Sequence, residues 1–231
     1  MDFDLTRVKF LTFDCYGTLI DWETGILNAL RPILQTHQCA LADAQILDLY
    51  AELESQAEAG EYKTYREVLQ QVVRGFGERL GFAASRNEQE ALPDSLQDWQ
   101  PFPDTVPALK SLAARFKLCV ISNVDDDLFV PTARRLEAPL HAVITAQQAR
   151  SYKPSHNNFH LALRKIGTGR DEVLHIAESL FHDIAPARAL GIKTIWVNRR
   201  KGKSAGATRL ANVKADREAP DMKSVAELLL I

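Results

Sequence analysis

The stretch Phe10–Glu23, FLTFDCYGTLIDWE, places a carboxylate at the point where an apolar run ends. The run from Val8 to Phe13 predicts a buried β-strand, and Asp14 comes directly after it. Gly17 and Thr18 then predict a tight turn. An acid after a strand is usually a turn former or a helix cap, so Asp14 is a site candidate only in combination with residues at the ends of other strands.

Four further apolar runs rich in β-branched residues predict strands. They are Lys117–Ile121, Ala142–Thr145, Val173–Ala177 and Lys193–Val197. Most of these runs are followed by a segment with helical periodicity, and the last helix of this kind stops at Gly191. Strands that alternate with helices predict an α/β fold with a doubly wound, mainly parallel, Rossmann-like sheet.

One long segment breaks this alternation. From about Glu23 to Leu80 the pattern is helical throughout, and Thr64 with Glu67 forms a capping box. Residues 91–107 carry four prolines and predict a linker back to the sheet. The sequence therefore predicts a core domain of residues 1–20 and 101–231, with a helical domain of residues 21–100 inserted after the first strand and ending in the Pro-rich linker.

Composition favours a small-molecule partner. A formal net charge of -2, with 46% hydrophobic and 25% charged residues, gives no general attraction to nucleic acid or to an anionic membrane surface. The sequence has no apolar run of about 20 residues and does not begin like a signal peptide, so we expect a cytoplasmic location. The motifs of dinucleotide, nucleoside triphosphate and serine-hydrolase sites are absent. The sequence is compatible with a homodimer.

Polar side chains come after four of the predicted strands. They are Asp14, the pair Ser122 and Asn123, Lys153, and the pair Glu178 and Asp183. Each has an ordinary interpretation as a turn, cap or surface residue. Because ligands bind at the carboxyl ends of parallel strands, however, the set predicts one site that combines carboxylates, a hydroxyl, an amide and a cation.

These motifs, FDxYGTLxD, VISN, YKP and an acid-bearing loop ahead of ALG, resemble the haloacid dehalogenase (HAD) superfamily of hydrolases over nearly the whole chain. The resemblance is closest to the type II L-2-haloacid dehalogenases. It implies that the helical insert is a cap domain and that Asp14 is a nucleophile that forms a covalent ester or acyl-phosphate. It also implies that Thr18 and Ser122 orient the reacting group, that Asn123 contacts substrate, and that Lys153 steadies the charge on Asp14.

Tyr16 bears on the choice between two reactions. The phosphatases of the superfamily carry a second aspartate at this position, because an alkoxide leaving group must be protonated as it departs. A halide leaves without a proton, and Tyr16 would line a pocket for a small, partly apolar substrate. The first motif therefore favours hydrolytic dehalogenation of a small 2-haloalkanoic acid, which requires no cofactor.

The fourth motif, AESLFHD, keeps a second hypothesis open. Glu178 and Leu180 stand where those dehalogenases have a serine and an asparagine. Glu178 and Asp183 resemble the acidic pair with which superfamily phosphatases hold Mg²⁺ together with the residue equivalent to Asp14, and hard oxygen ligands suit that ion. Alternatively, Glu178 or Asp183 activates the water that cleaves the ester. The second hypothesis is thus a Mg²⁺-dependent phosphatase.

Two further departures concern substrate binding. The cap arginine of the dehalogenases has no evident match, since no arginine occurs between Arg31 and Arg66, and Phe159 replaces a tyrosine after the lysine motif. Tyr65 and Arg66 are candidates to take over from another cap helix, although a place in a surface helix beside Glu67 accounts for Arg66 more readily. A third hypothesis is therefore a binding or regulatory protein with the same fold and weak catalysis.

Overall fold

A computed structural model of the protein describes residues 5–199 and 211–230, so the parts of the predicted core domain at 1–4, 200–210 and 231 lie outside the described residues. Within those ranges six parallel strands form one sheet in the order β3-β2-β1-β4-β5-β6. Their bounds are β1 Phe10–Phe13, β2 Lys117–Ser122, β3 Leu140–Thr145, β4 Val173–Ala177, β5 Lys193–Val197 and β6 Arg217–Ala219.

Five of these strands coincide closely with the predicted ones, whereas β6 was not predicted. The sequence Arg217–Ala219 is short and charged, and the strand lies at the edge of the sheet, so it has no apolar pattern to reveal it. The strand order is that of Rossmann-like sheets, in which β1 lies at the point where the order reverses. The predicted α/β fold is thus confirmed.

The α-helices in the described ranges are α1 Trp22–Thr36, α2 Asp43–Glu58, α3 Tyr65–Leu80, α4 Arg86–Ser95, α5 Thr105–Ala113, α6 Asp126–Leu136, α7 Ala146–Ala149, α8 His156–Ile166, α9 Ala185–Ala189 and α10 Met222–Leu230. Short 3₁₀ turns occur at Leu96–Asp98 and Arg170–Glu172, and one π-helical turn covers Leu180–Ile184. None of the helices so described is long and apolar enough to cross a membrane.

The two faces of the sheet pack into two apolar clusters. Leu11 and Phe13 of β1 join a cluster that includes residues of α5 and α10. Phe10 points to the other face and joins a cluster that includes residues of α8 and α9. Because alternate side chains of a strand point to opposite faces, burial on both sides requires a continuous apolar run, which is what β1 has.

Helices α1 to α4 lie between β1 and α5 in the chain, in the predicted helical insert. The predicted capping box at Thr64 and Glu67 is present at the start of α3. The linker begins later than predicted, since α4 continues to Ser95 with Pro93 inside it. A second capping box, Ser85 with Glu88, starts α4, and its spacing of three residues is the sequence pattern that indicates it. The division into a core and a cap domain itself remains a prediction.

Candidate active site

Asp14, Lys153 and Asp183 meet at the carboxyl end of the sheet. Lys153 Nζ donates to Asp14 Oδ1 at 2.8 Å and to Asp183 Oδ1 at 2.7 Å. Its third donor reaches the carbonyl oxygen of Ile121 on β2 at 2.9 Å. All three side chains are buried. Strands β1, β2 and β4 and the chain beyond β3 therefore all contribute to one charged cluster.

The ammonium and the two carboxylates control one another's protonation. Burial opposes the charge of Lys153, but attraction by both carboxylates outweighs it and raises the pKa of the ammonium. For Asp183, attraction by Lys153 and the hydrogen bond from His175 overcome burial and lower the pKa of the carboxyl group. Burial raises the pKa of Asp14 above its ordinary value, against the opposing effects of Lys153 and Thr18. Asp183 therefore ionises first, and Asp14 is the more basic carboxylate.

Thr18 orients Asp14 from the turn that comes after β1. Thr18 Oγ1 donates to Asp14 Oδ2 at 2.6 Å and accepts from the backbone N–H of Glu178 at 2.8 Å. Gly17 permits this turn because its φ is +92°, in the left-handed region that favours glycine. Both oxygens of Asp14 thus have a fixed donor, and the turn is joined to the loop after β4.

Ser122 and Asn123 end β2 and have different environments. The Asn123 amide bonds to the backbone of Lys153 on both sides: Oδ1 accepts from its N–H at 2.7 Å, and Nδ2 donates to its carbonyl oxygen at 3.2 Å. Ser122 Oγ is buried and has no hydrogen-bond partner among the described residues. The amide therefore holds the lysine in place, and the hydroxyl is available to a ligand.

His175 is a site residue that the sequence reasoning missed. It lies on β4 with no exposed surface, between Thr12 Oγ1 and Asp183 Oδ1, each 2.9 Å from a ring nitrogen. The ring also packs edge-to-face on Phe159 at 5.1 Å. Asp183 Oδ1 is an acceptor, so Nε2 carries the proton in this arrangement. A histidine inside the apolar run VLHIA was the available signal, because a buried polar side chain needs partners.

A cavity of about 50 Å³ opens above this cluster. From the sheet side its lining includes Asp14, Tyr16, Ser122, Asn123, Lys153, Glu178, Ser179, His182 and Asp183, and from the helical insert it includes Trp22, Glu54, Glu58 and Tyr65. The structure therefore brings the predicted residues of the sheet, together with Tyr65, to one cavity. Thr18 contacts this group through Asp14. The roles assigned to these residues remain proposals.

The Tyr16 ring forms part of the cavity wall. Its hydroxyl pairs with Thr132 Oγ1 at 3.0 Å, and its ring packs edge-to-face on Trp99 at 5.5 Å. Burial raises the pKa of this phenol well above its ordinary value, so the hydroxyl stays protonated. Tyr16 is consequently a neutral wall of the cavity, as the sequence predicts.

Arg66 does not reach the cavity, against the sequence expectation that it contacts substrate. Its guanidinium pairs with Asp94 at 2.7 Å and with Glu90 at 3.4 Å, and it lies 3.8 Å from Asp127. These three acids engage the guanidinium, and Arg66 is not among the described residues that line the cavity. The preceding residue, Tyr65, lines the cavity instead, because adjacent residues on a helix point in different directions.

A buried glutamate on α2 was also missed. Glu54 Oε1 accepts from the hydroxyls of Tyr50 and Tyr65, each at 2.7 Å, and the two hydroxyls are 3.1 Å apart. Glu54 is 8% exposed and lines the cavity. Its position on the same helix face as Tyr50 and Ala57 was the signal, since that face is otherwise apolar.

The carboxylates do not fit the predicted Mg²⁺ site of Asp14, Glu178 and Asp183. The Lys153 ammonium lies between Asp14 and Asp183, and both Asp14 oxygens already accept hydrogen bonds. Asp183 Oδ2 is the buried carboxylate oxygen of this trio without a partner among the described residues. The described residues also form no group of three or more acids, histidines or cysteines suited to a metal. The Lys153 ammonium thus neutralises part of the negative charge that a metal ion would neutralise.

Comparison with known proteins places the chain among hydrolases. Residues 8–191 match the model of the haloacid dehalogenase-like hydrolase family. The chain is 22% identical over 200 residues to (S)-2-haloacid dehalogenase 1 of Pseudomonas sp. (strain CBS-3), covering 83% of this chain and 85% of the relative. It is 27% identical over 210 residues to the 5-amino-6-(5-phospho-D-ribitylamino)uracil phosphatase YigB of Escherichia coli (strain K12), covering 86% and 87%.

A solved structure shows the same fold. The defluorinating L-2-haloacid dehalogenase Rha0230 superposes with a TM-score of 0.83 at 22% identity, over 97% of this chain and 96% of that one. At this identity the likeness establishes the fold, whereas the family match covers most of the chain. The chain therefore belongs to the haloacid dehalogenase-like hydrolases.

Proposed function

We propose that this hydrolase is a dehalogenase that uses Asp14 as its nucleophile on a small organic halide. The observation that carries the proposal is the pair of donors on Asp14: Lys153 on Oδ1 and Thr18 on Oδ2. A carboxylate is a weak nucleophile, so it must be held ionised and aimed at the reacting carbon. The raised basicity of Asp14 helps, because a more basic carboxylate attacks more readily.

The reaction would proceed in two steps. An oxygen of Asp14 bonds to the halogen-bearing carbon while the carbon–halogen bond breaks, and the halide leaves with the bonding electrons. Water then adds to the carbonyl carbon of the resulting ester and gives up one proton. The bond between that carbon and the oxygen attached to the substrate breaks, and the departing oxygen takes up this proton and leaves as an alcohol. Asp14 loses the remaining water proton to solvent and is restored as a carboxylate. We propose Asp183 Oδ2 as the group that accepts the first water proton and returns it to the departing oxygen, because Asp183 lines the cavity and this oxygen has no partner among the described residues.

Tyr16 supports halide over alkoxide as the leaving group. It occupies the position at which the phosphatase hypothesis requires a second carboxyl group. Its hydroxyl pairs with Thr132 and has a pKa well above the ordinary value, which makes it a poor proton donor to a departing alkoxide. A halide needs no such proton.

The resemblance predicts a 2-haloalkanoic acid as substrate, and the name of the Pseudomonas relative supports a carbon–halogen substrate. The carboxyl head group is the part of that prediction which the acidic lining of the cavity, Glu54 and Glu58, opposes. We also propose that α1 to α4 act as a cap, since Trp22, Glu54, Glu58 and Tyr65 from this segment close the cavity opposite Asp14. The cytoplasmic location and a homodimer remain predictions.

A Mg²⁺-dependent phosphatase is the second candidate. Two observations favour it: Asp183 Oδ2 has no hydrogen-bond partner among the described residues, and an Escherichia coli phosphatase is among the relatives. Against it, Lys153 occupies the space between Asp14 and Asp183 in which the ion would have to bind. The third candidate is a binding protein with weak turnover.

One set of assays separates these candidates. The purified protein is incubated with 2-chloropropionate, fluoroacetate and the neutral chloroacetamide, with and without EDTA, and halide release is measured. Phosphate release from p-nitrophenyl phosphate is measured with and without Mg²⁺. Halide release that persists in EDTA and disappears in Asp14→Asn supports the proposal, with Asp48→Asn, an exposed position on α2, as the control. Mg²⁺-dependent phosphate release supports the phosphatase, and inactivity in every assay supports the binding protein.

A further inference from the structure

The cavity has more carboxylates than its catalytic chemistry needs. Its described lining carries five carboxylates against one ammonium, that of Lys153. This ammonium is already bonded to Asp14, Asp183 and a carbonyl oxygen. On the side of the helical insert, the described charged groups are Glu54 and Glu58, both from α2. A ligand that fills this side therefore faces negative charge.

Glu54 is held in one geometry by two tyrosines. Both hydroxyl donors converge on the same oxygen, Oε1, and each tyrosine is itself fully buried or nearly so. A buried carboxylate costs free energy unless hydrogen bonds or a cation compensate its charge, and the two tyrosine hydroxyls supply part of that compensation. Burial indeed raises the pKa of Glu54, and the two tyrosine hydrogen bonds offset only part of that rise.

The same cavity contains two buried polar atoms that have no hydrogen-bond partner among the described residues. Ser122 and Asp183 are each 1% exposed, and neither Ser122 Oγ nor Asp183 Oδ2 has a hydrogen-bond partner among the described residues. Buried polar atoms without partners are rare in folded proteins and mark places where a ligand or water binds. The carboxylates of the insert thus face a space that is built to hold a polar molecule.

We propose that Glu54 binds a cationic, hydrogen-bond-donating head group of the substrate, an amidinium or ammonium group, where a 2-haloalkanoic acid would present a carboxylate. The inference rests on the proposed dehalogenase function and names the class of halide that the site accepts. Glu58 adds negative charge beside Glu54, and the nearby Arg150 lines a neighbouring cavity with its guanidinium over the Tyr62 ring. A carboxylate head group would meet like charge on this side and lose affinity.

Three substrates of nearly equal size test the proposal. Chloroacetate, chloroacetamide and chloroacetamidine share the carbon–chlorine bond and differ in a head group that is anionic, neutral or cationic. Halide release is measured for the wild type, Glu54→Gln and Asp48→Asn. Glutamine retains an acceptor for both tyrosine hydroxyls, so Glu54→Gln should keep its fold, and a thermal melt checks this. Because the intrinsic reactivity of each halide is the same with every enzyme, the ratio of wild type to variant isolates the head-group contribution.

We expect Glu54→Gln to lower kcat/KM for chloroacetamidine by about ten- to 100-fold, the range of a charge-assisted hydrogen bond, and to raise kcat/KM for chloroacetate, because the like charge is removed. Asp48→Asn, in an exposed position of the same helix, should change neither. An equal effect of Glu54→Gln on chloroacetate and chloroacetamidine would overturn the proposal.

Binding of unreactive head groups keeps this test independent of catalysis. Acetamidinium and acetate are titrated into the wild type, Glu54→Gln and Asp48→Asn by calorimetry. Acetamidinium binding that weakens about tenfold or more in Glu54→Gln alone supports the proposal. If no chloride is released in any assay, the proposed dehalogenase function is refuted, but this binding result still supports the head-group site. Tighter binding of acetate than of acetamidinium, or binding that ignores Glu54→Gln, contradicts it.

Discussion

Lys153 Nζ lies 2.8 Å from Asp14 Oδ1, in a site where both side chains are almost fully buried. The same ammonium lies 2.7 Å from Asp183 Oδ1, so one cation serves two carboxylates. Buried carboxylates this close to each other repel, and without the ammonium one of them would take up a proton. The lysine thereby keeps both carboxylates, the proposed nucleophile and the proposed base, ionised in a single cavity.

Replacing this lysine should affect stability as well as activity. Lys153→Met leaves two buried carboxylates without their cation, and we expect a loss of about 3–5 kcal/mol in the free energy of unfolding, measured by urea denaturation. Halide release should fall by about 100-fold or more, the scale of a lost catalytic group. The control is Lys110→Met, whose exposed pair with Glu137 should contribute about 1 kcal/mol or less. A Lys153→Met protein that stays as stable and as active as the control would refute this role.

His175 should act on the second step of the reaction through Asp183. In His175→Gln the hydrogen bond that orients Asp183 Oδ1 is disturbed, so proton abstraction from water slows. We expect kcat to fall by about ten- to 100-fold while the covalent ester at Asp14 accumulates, visible by mass spectrometry of the intact protein. If the variant instead slowed ester formation and no adduct accumulated, His175 would serve the first step.

The pH dependence of activity should report Asp14. Burial raises the pKa of Asp14 above the ordinary 3.8, whereas the pKa of Asp183 is lowered from the same value. As the pH falls, Asp14 is therefore protonated first and the nucleophile is lost. We expect the acid limb of kcat/KM to lie above pH 3.8, measured in buffers of constant ionic strength. An acid limb at or below that pH would mean that the ammonium dominates over burial.

Gly25 leaves room for the Trp99 ring, which packs on the Tyr16 ring in the cavity wall. A Cβ at Gly25 would lie 2.5 Å from the Trp99 ring, and Trp99 packs edge-to-face on Tyr16. We expect Gly25→Ala to destabilise the protein by about 1–3 kcal/mol through overpacking and to alter KM through the displaced Tyr16 ring. Gly169→Ala is the matched control, because no atom lies within 4 Å of the added Cβ, and its effect should stay within about 0.5 kcal/mol. Equal stabilities and equal KM values for the two variants would contradict this coupling.

The sequence predicted the fold because its signals are local. The apolar run before Asp14 and the capping box at Thr64 each specify an element within a few residues. Strand β6 was not predicted, because Arg217–Ala219 has no such pattern. The linker was predicted to begin too early, because Pro93 is tolerated inside α4.

Site residues at strand ends were predictable for the same reason, since Asp14 and Lys153 come after apolar runs and topology brings them together. His175 and Glu54 each had a local signal, a polar residue in an otherwise apolar run or helix face, but the sequence did not identify their distant partners, such as Thr12 and Tyr65. Arg66 shows the converse case. Its neighbour Tyr65 reaches the cavity, but three acids on α4 and α6 hold the arginine outside, and no local pattern encodes that competition.

The most direct test of covalent catalysis by Asp14 is a single turnover in H₂¹⁸O with enzyme in excess over a halide that the protein turns over. If Asp14 forms the ester and water attacks its carbonyl carbon, the product hydroxyl carries unlabelled oxygen from Asp14, and the peptide that contains Asp14 gains about 2 Da of mass from one ¹⁸O. Asp14→Asn should show neither halide release nor labelling. Label that appears in the product while the Asp14 peptide remains unlabelled would show that water displaces the halide directly, and would contradict the account.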